Sequence, residues 1–143
     1  MVLMSKAEIH ELRFKAPDTE KLTLNIGYVD LGQIDLMVHD GFYSNRSDFI
    51  RTAIRNQLTR HSEVLEKSVA RNTLDFGLRL YTRADLEHVN AAHQQLHVHV
   101  LGLVTIAPDV TPELARATIA SITVLGALHA SPEVKAALAD RIR

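Results

Sequence analysis

The 143-residue sequence contains no cysteine and no tryptophan, and only four phenylalanines and three tyrosines. Without cysteine, disulfides, thiolate zinc sites and cysteine nucleophiles are excluded, and a reducing, cytoplasmic location is predicted. The few aromatic residues argue against a stacking platform for single-stranded nucleic acid. No apolar run is long enough to span a bilayer, and the mixed charges of residues 1–20 do not fit a secretory signal, so we expect no membrane partner.

Basic residues are not in excess: 16 lysines and arginines face 17 acidic residues, for a net charge of -1. This balance argues against a uniformly basic nucleic-acid binder, but a module that reads a groove needs only a local basic surface. One such segment, residues 46–60, contains a single acidic residue and four arginines: Arg46, Arg51, Arg55 and Arg60. The cluster fits either a solvated helix face or a nucleic-acid contact.

Polar and apolar residues alternate strictly over residues 21–26, which predicts a half-buried strand. The period of two divides the strand into an apolar face and a polar face. The apolar set is Leu22, Leu24 and Ile26, and the polar set is Lys21, Thr23 and Asn25.

Two helices are predicted after this strand. The first has apolar residues at helical spacing and ends at Gly41, where a left-handed conformation suits glycine. Ser44 is the predicted N-cap of the second helix, which runs to Leu58 and either continues or breaks near His61. The apolar stripe of this second helix is Phe49, Ile50, Ala53, Ile54 and Leu58.

One strand and two short helices bury too little apolar surface to form a domain alone. An unpaired strand also leaves its backbone groups open. A second copy solves both problems, because two chains can pair their strands antiparallel above four packed helices. We therefore predict an intertwined homodimer, with an arm over 1–20, a dimeric domain over 21–61 and a C-terminal domain over 62–143.

Residues 21–58 resemble the CopG/Arc/MetJ ribbon-helix-helix family of DNA-binding regulators. The most specific part is Gly41–Arg55, where glycine, an aromatic residue, serine, arginine, serine, an acid, isoleucine and arginine follow in a characteristic order. Gly27 departs from the pattern, since family members often open the first helix with proline. The resemblance implies an α+β fold, double-stranded DNA as the partner, no enzymatic activity and no cofactor.

The resemblance also assigns roles to residues. It implies that the two-stranded ribbon enters the major groove, where Lys21, Thr23 and Asn25 offer groups that suit guanine, the thymine methyl and adenine. It implies that the start of the second helix clamps a DNA phosphate through Ser44, Asn45 and Arg46. Two-fold symmetry then predicts a palindromic or tandem operator.

An internal repeat occupies the C-terminal half. Residues 97–110 align with residues 121–134 at an offset of 24, and a fainter copy starts at Leu74. Each copy predicts a strand, a turn and a short helix, with Thr111 and Ser131 as N-caps before prolines. A fixed period favours a small α/β domain of stacked parallel strands with helices on one side. A ferredoxin-like regulatory domain is the alternative.

Three functions remain open at this point. The first is a repressor dimer, or a tetramer joined through the C-terminal domain. The second is an antitoxin or partner-binding subunit whose DNA binding is autoregulatory. The third is a metal-responsive regulator of the nickel-repressor type, with His97 and His99 sharing one strand face as candidate ligands. We predict no metal site, because no cysteine completes the ligand set that the nickel regulators imply.

Overall fold

The computed structural model describes residues 19–143, so most of the predicted arm, residues 1–18, lies outside the described residues. Contacts divide the described chain into two compact units, Lys21–Arg71 and Asn72–Arg143. Between residues 19 and 143, no helix is both long and apolar enough to cross a membrane.

The N-terminal unit consists of three helices: α1 (Tyr28–His39), α2 (Arg46–Arg60) and α3 (Ser62–Arg71). The predicted end of α1 is confirmed, because Gly41 has a φ of +84° and the next amide, that of Phe42, donates to the carbonyl of Met37. Of the two alternatives left open for the second helix, the structure has the break near His61, since this residue is the C-cap of α2 and α3 starts directly after it.

The strand predicted over residues 21–26 does not form within a single chain. These residues precede α1 as neither helix nor strand. The physical reason is that a strand exists only through hydrogen bonds to a neighbouring strand, and the rest of this unit is helical. Extended backbone persists at its end, where Gly27 has φ -63° and ψ 150°.

The C-terminal unit alternates strands and helices. In chain order they are β1 (Asp75–Tyr81), α4 (Arg83–Ala91), β2 (Leu96–Ile106), α5 (Pro112–Thr118), β3 (Ile119–His129) and α6 (Pro132–Ala137). The strands form a parallel sheet in the order β1-β2-β3. This arrangement confirms the predicted strand-helix units. The ferredoxin-like alternative is wrong. Neighbouring strands of a ferredoxin-like sheet are not all parallel and in chain order, whereas those of this sheet are.

The predicted helix starts of this unit are confirmed. The side chain of Thr111 accepts a hydrogen bond from the amide of Leu114, and Ser131 does the same for Val134. Proline occupies the first turn of both helices, where its missing N–H costs nothing. The start of α4 is a reciprocal capping box between Thr82 and Asp85.

The repeat offset equals the strand register between β2 and β3, where His97 pairs with Ser121 and Gly102 with Gly126, 24 residues apart. The fainter first copy does form a strand, but it pairs one residue out of the predicted register. Asp75, rather than Phe76, pairs with Val100, which is an offset of 25. Because side chains alternate between faces, this slip moves the apolar residues of β1 to the sheet face opposite Val100.

The core of this unit lies on one face of the sheet. Buried strand residues, among them Val98, Val104 and Ile122, pack in one cluster with Leu86 of α4 and Val134 of α6. The helices therefore cover this face of the sheet.

Candidate nucleic-acid interface

The three residues predicted to read bases are all exposed, on the extended segment that leads into α1. Their apolar neighbours are exposed as well: Leu22 by 83% and Leu24 by 65%. A single chain thus presents the polar and apolar sets of this segment to solvent together. The base-reading assignment of Lys21, Thr23 and Asn25 stays a prediction.

The N-cap of α2 is Asn45, so the prediction of Ser44 was wrong by one residue. Asn45 has extended backbone, and its side-chain oxygen accepts a hydrogen bond from the amide of Asp48 at 2.8 Å. The carboxylate of Asp48 accepts from the amide of Ser44 at 3.0 Å. Serine and asparagine cap helices equally well, and the hydrogen bond from the Asp48 amide to the Asn45 side chain identifies Asn45 as the cap.

The cap shift changes which groups can meet a phosphate. The first amides of α2 belong to Arg46, Ser47 and Asp48, and the amide of Asp48 is already bonded to Asn45. Ser44 lies just before the cap with its side chain exposed. The turn is held by an edge-to-face contact between the rings of Tyr43 and Phe49, whose centroids are 4.9 Å apart.

Ser44 and Asn45 should respond differently to alanine. Asn45→Ala removes the hydrogen bond to the Asp48 amide and should lower the free energy of unfolding by about 1 kcal/mol. Ser44→Ala keeps the backbone amide that Asp48 accepts from, so stability should stay within about 0.5 kcal/mol. Urea denaturation followed by circular dichroism measures both, and a larger loss for Ser44→Ala than for Asn45→Ala would return the cap to Ser44.

The guanidinium of Arg46 is engaged within the chain rather than free. Its Nε donates to Oδ1 of Asp35 at 2.7 Å, and a terminal nitrogen donates to Oδ2 at 2.8 Å. This bidentate pair joins α1 to α2. The hydrogen bond from Arg46 lowers the pKa of Asp35, and that from Asp35 raises the pKa of Arg46. Both residues are exposed, so a phosphate can compete with Asp35 for Arg46.

The lowered pKa of Asp35 sets the pH range of this pair. Its contribution to folding is complete above the ordinary pKa of an aspartate and is lost as pH falls through the lowered value. The pair is therefore fully ionised at neutral pH, where DNA binding is measured.

Removing Asp35 should release Arg46 for DNA. We expect Asp35→Asn to raise affinity by the same factor on operator and scrambled duplex, because a phosphate contact carries no sequence information. The slope of log affinity against log salt should steepen by about 0.9 if one phosphate contact is gained. Arg46→Gln is the matched control and should act in the opposite direction. An unchanged salt slope in both variants would show that Arg46 does not contact the DNA phosphates.

Sequence reasoning missed Asp35, because nothing in the spacing of two residues on separate helices marks them as partners. Asp48 does not pair with Arg51 or Arg55, because its carboxylate and its amide form the hydrogen bonds of the helix start instead. Among residues 19–143, Arg51 and Arg55 form no ion pair and are exposed on α2.

The two histidines share a strand face as predicted, opposite the buried Val98 and Val100. His97 forms a hydrogen bond of 3.0 Å with the hydroxyl of Ser121 on the neighbouring strand. In the described part of the chain, no three His, Cys, Asp or Glu residues are grouped so as to hold a metal ion. These residues therefore do not supply a set of metal ligands for the nickel-type alternative.

Comparison with known proteins identifies the family. The Ribbon-Helix-Helix transcriptional regulator family matches residues 17–135. No curated protein and no solved structure matches the chain. The match confirms the resemblance seen over residues 21–58 and extends through most of the C-terminal unit. The chain therefore belongs to the ribbon-helix-helix transcriptional regulators, a non-enzymatic family whose function implies DNA binding.

Proposed function

We propose that this regulator is a cytoplasmic, sequence-specific repressor that binds the major groove of double-stranded DNA as a homodimer. In the proposed dimer, residues 21–26 of two chains pair as an antiparallel ribbon. The outward side chains of Lys21, Thr23 and Asn25 read the bases. The start of α2, with Ser44, Asn45 and Arg46, positions the protein on the phosphates.

The observation that carries the proposal is the uncovered apolar surface of the N-terminal unit. No residue of α2 is buried, and Ile34 is the only buried residue of α1. Ile54 and Leu58, from the predicted apolar stripe, are about half exposed. A unit this small needs its apolar surface removed from water, and a second copy of the same unit supplies a matching surface.

An open groove between α1 and α2 fits the same proposal. Its volume is about 510 Å³, and it is lined mainly by apolar atoms of Ile34, Leu36, Met37 and Phe49, with Asp30 and Gln33 beside them. Exposed apolar residues of a partner, such as Leu22 and Leu24, are of a size and character to fill such a groove.

We assign the C-terminal unit to assembly, with the tetramer as the largest form. Two dimers joined in this way would bind adjacent half-sites with a gain in affinity that comes from effective concentration rather than from new DNA contacts.

The test is fluorescence anisotropy of the purified protein against the DNA upstream of its own coding sequence, with a scrambled duplex as control. We expect tight binding to the native duplex only, with affinity falling as salt rises. Equal binding to both duplexes at every salt concentration would reject sequence-specific repression and favour the partner-binding hypothesis. A pull-down with the full chain as bait would then follow.

A further inference from the structure

The parallel sheet of the C-terminal unit is covered on one face only. Parallel sheets are normally covered on both faces, because their strands are apolar on both sides. Here α4, α5 and α6 all contribute to the cluster on the core side. On the opposite face, four large apolar side chains are more than half exposed: Phe76 by 58%, Leu78 by 60%, Leu80 by 58% and Leu125 by 55%.

The side chains on this opposite face form ordered rows across the three strands. We call the surface made by these rows the outer face. The strand registers place Phe76 beside Leu101 and Leu125 in one row. The next two rows hold the remaining members: Leu78, Leu103 and Ala127, then Leu80, Thr105 and His129.

The outer face has no acidic residue, lysine or arginine in these three rows. The charges of a charged partner surface would therefore lose their hydration without gaining ion pairs, which costs free energy. An identical face avoids this cost, because two faces without acids, lysines or arginines neither repel each other through such charges nor bury them. Polar groups lie beyond the first row, where His97 is bonded to Ser121, so the apolar centre has a polar border typical of protein interfaces.

We propose that the outer face packs against the outer face of a second copy of this chain, with a two-fold axis parallel to the strands. Such an axis places β1 of one copy opposite β3 of the other and Leu78 opposite Ala127. The side chains favour this axis, since β1 presents phenylalanine and two leucines while β3 presents only one large apolar residue. In the middle row the large side chain of Leu78 then faces the small one of Ala127, within the layer of about 10 Å between two packed sheets.

The size of the outer face fits such a contact. Three strands about 4.8 Å apart, with five residues each rising about 3.3 Å, cover roughly 240 Å² in projection. The side chains stand out from the sheet and four large ones are more than half exposed, so their accessible surface exceeds this projection and falls in the class of roughly 300–600 Å² that is largest on ordinary monomers. Pairing two such patches buries roughly 600–1,200 Å² in total, a range that reaches the roughly 1,000 Å² at which specific interfaces begin. The inference rests on the proposed role of this unit in assembly, and it adds the surface, the occupant and the axis.

The test uses the full chain and separates the outer face from the ribbon. Leu24→Lys places a charge in the proposed ribbon interface, and Leu78→Lys places one in the outer face. We expect the Leu24→Lys protein to lose DNA binding but to remain a dimer of 15.9 kDa chains in sedimentation equilibrium. Adding Leu78→Lys should convert it to a monomer. Arg79→Gln, in the same strand but on the other face, is the matched control and should leave the dimer intact.

A second substitution keeps the test informative if Leu78→Lys disturbs folding. In the Leu24→Lys background, Ala127→Lys should also give a monomer, with the C-terminal unit still folded by circular dichroism. The axis predicts that Leu78→Lys combined with Ala127→Glu in one chain restores dimerisation at least ten-fold over either substitution alone. No restoration would overturn the axis.

Two outcomes would overturn the outer-face contact itself. One is a Leu24→Lys protein that is monomeric at a concentration on the order of 100 µM. That result would leave residues 1–18 or another protein as the occupant of the outer face. The other is a dimer that survives both Leu78→Lys and Ala127→Lys. Failure of the proposed ribbon looks different, because the Leu24→Lys protein would then bind operator DNA as the unaltered protein does.

Discussion

Replacing Gly102 with alanine should destabilise the C-terminal unit by about 3–5 kcal/mol, combining backbone strain with a steric clash. Gly102 lies in the middle of β2 with a φ of +144°, a conformation that residues with a side chain rarely adopt. A Cβ atom built at this position would also overlap the carbonyl oxygen of Gly77 on β1. The backbone of the neighbouring strand cannot move aside without breaking the sheet.

Gly77→Ala provides the matched control for this effect. Gly77 also has a positive φ, +116°, but a Cβ built there meets no atom within 4 Å. It should therefore show the strain alone, about 1–3 kcal/mol. Urea denaturation followed by circular dichroism measures both variants. Equal losses would contradict the clash, and stability unchanged in both would contradict the register that aligns these glycines.

Asn25→Ala and Lys21→Ala should each cost about 1–3 kcal/mol in binding to the operator and should relax specificity. Each substitution removes hydrogen bonds to one base edge, and that loss falls on the matching sequence rather than on every duplex. The folded dimer should persist, because both side chains belong to the polar set of the alternating segment. Fluorescence anisotropy on operator, single-base variants and scrambled duplex measures the change.

Ser44→Ala is the control for the ribbon experiment, because a lost phosphate contact should weaken binding to all duplexes alike. Uniform losses in Asn25→Ala and Lys21→Ala would instead show that the ribbon does not read the bases. A loss of dimer mass in either variant would mean that these residues support folding rather than recognition.

The local pattern of the sequence was sufficient to predict several elements. Gly41 ends α1 because its left-handed backbone conformation excludes most other residues. Thr111 and Ser131 start their helices because a hydroxyl before proline satisfies a free amide. The family resemblance over 21–58 likewise rested on short-range order in the chain, and the family match confirms it.

Features set by neighbours along the chain could thus be predicted from the sequence alone: most of the helix ends, the repeat and the family. The tertiary structure decided the rest, since each such outcome depends on residues far apart in the chain. The one-residue slip of β1 sends Phe76 to the outer face, because the whole sheet rather than the repeat sets the register. Arg46 meets Asp35 only once α1 and α2 are packed, and no spacing rule foretells a contact that folding creates.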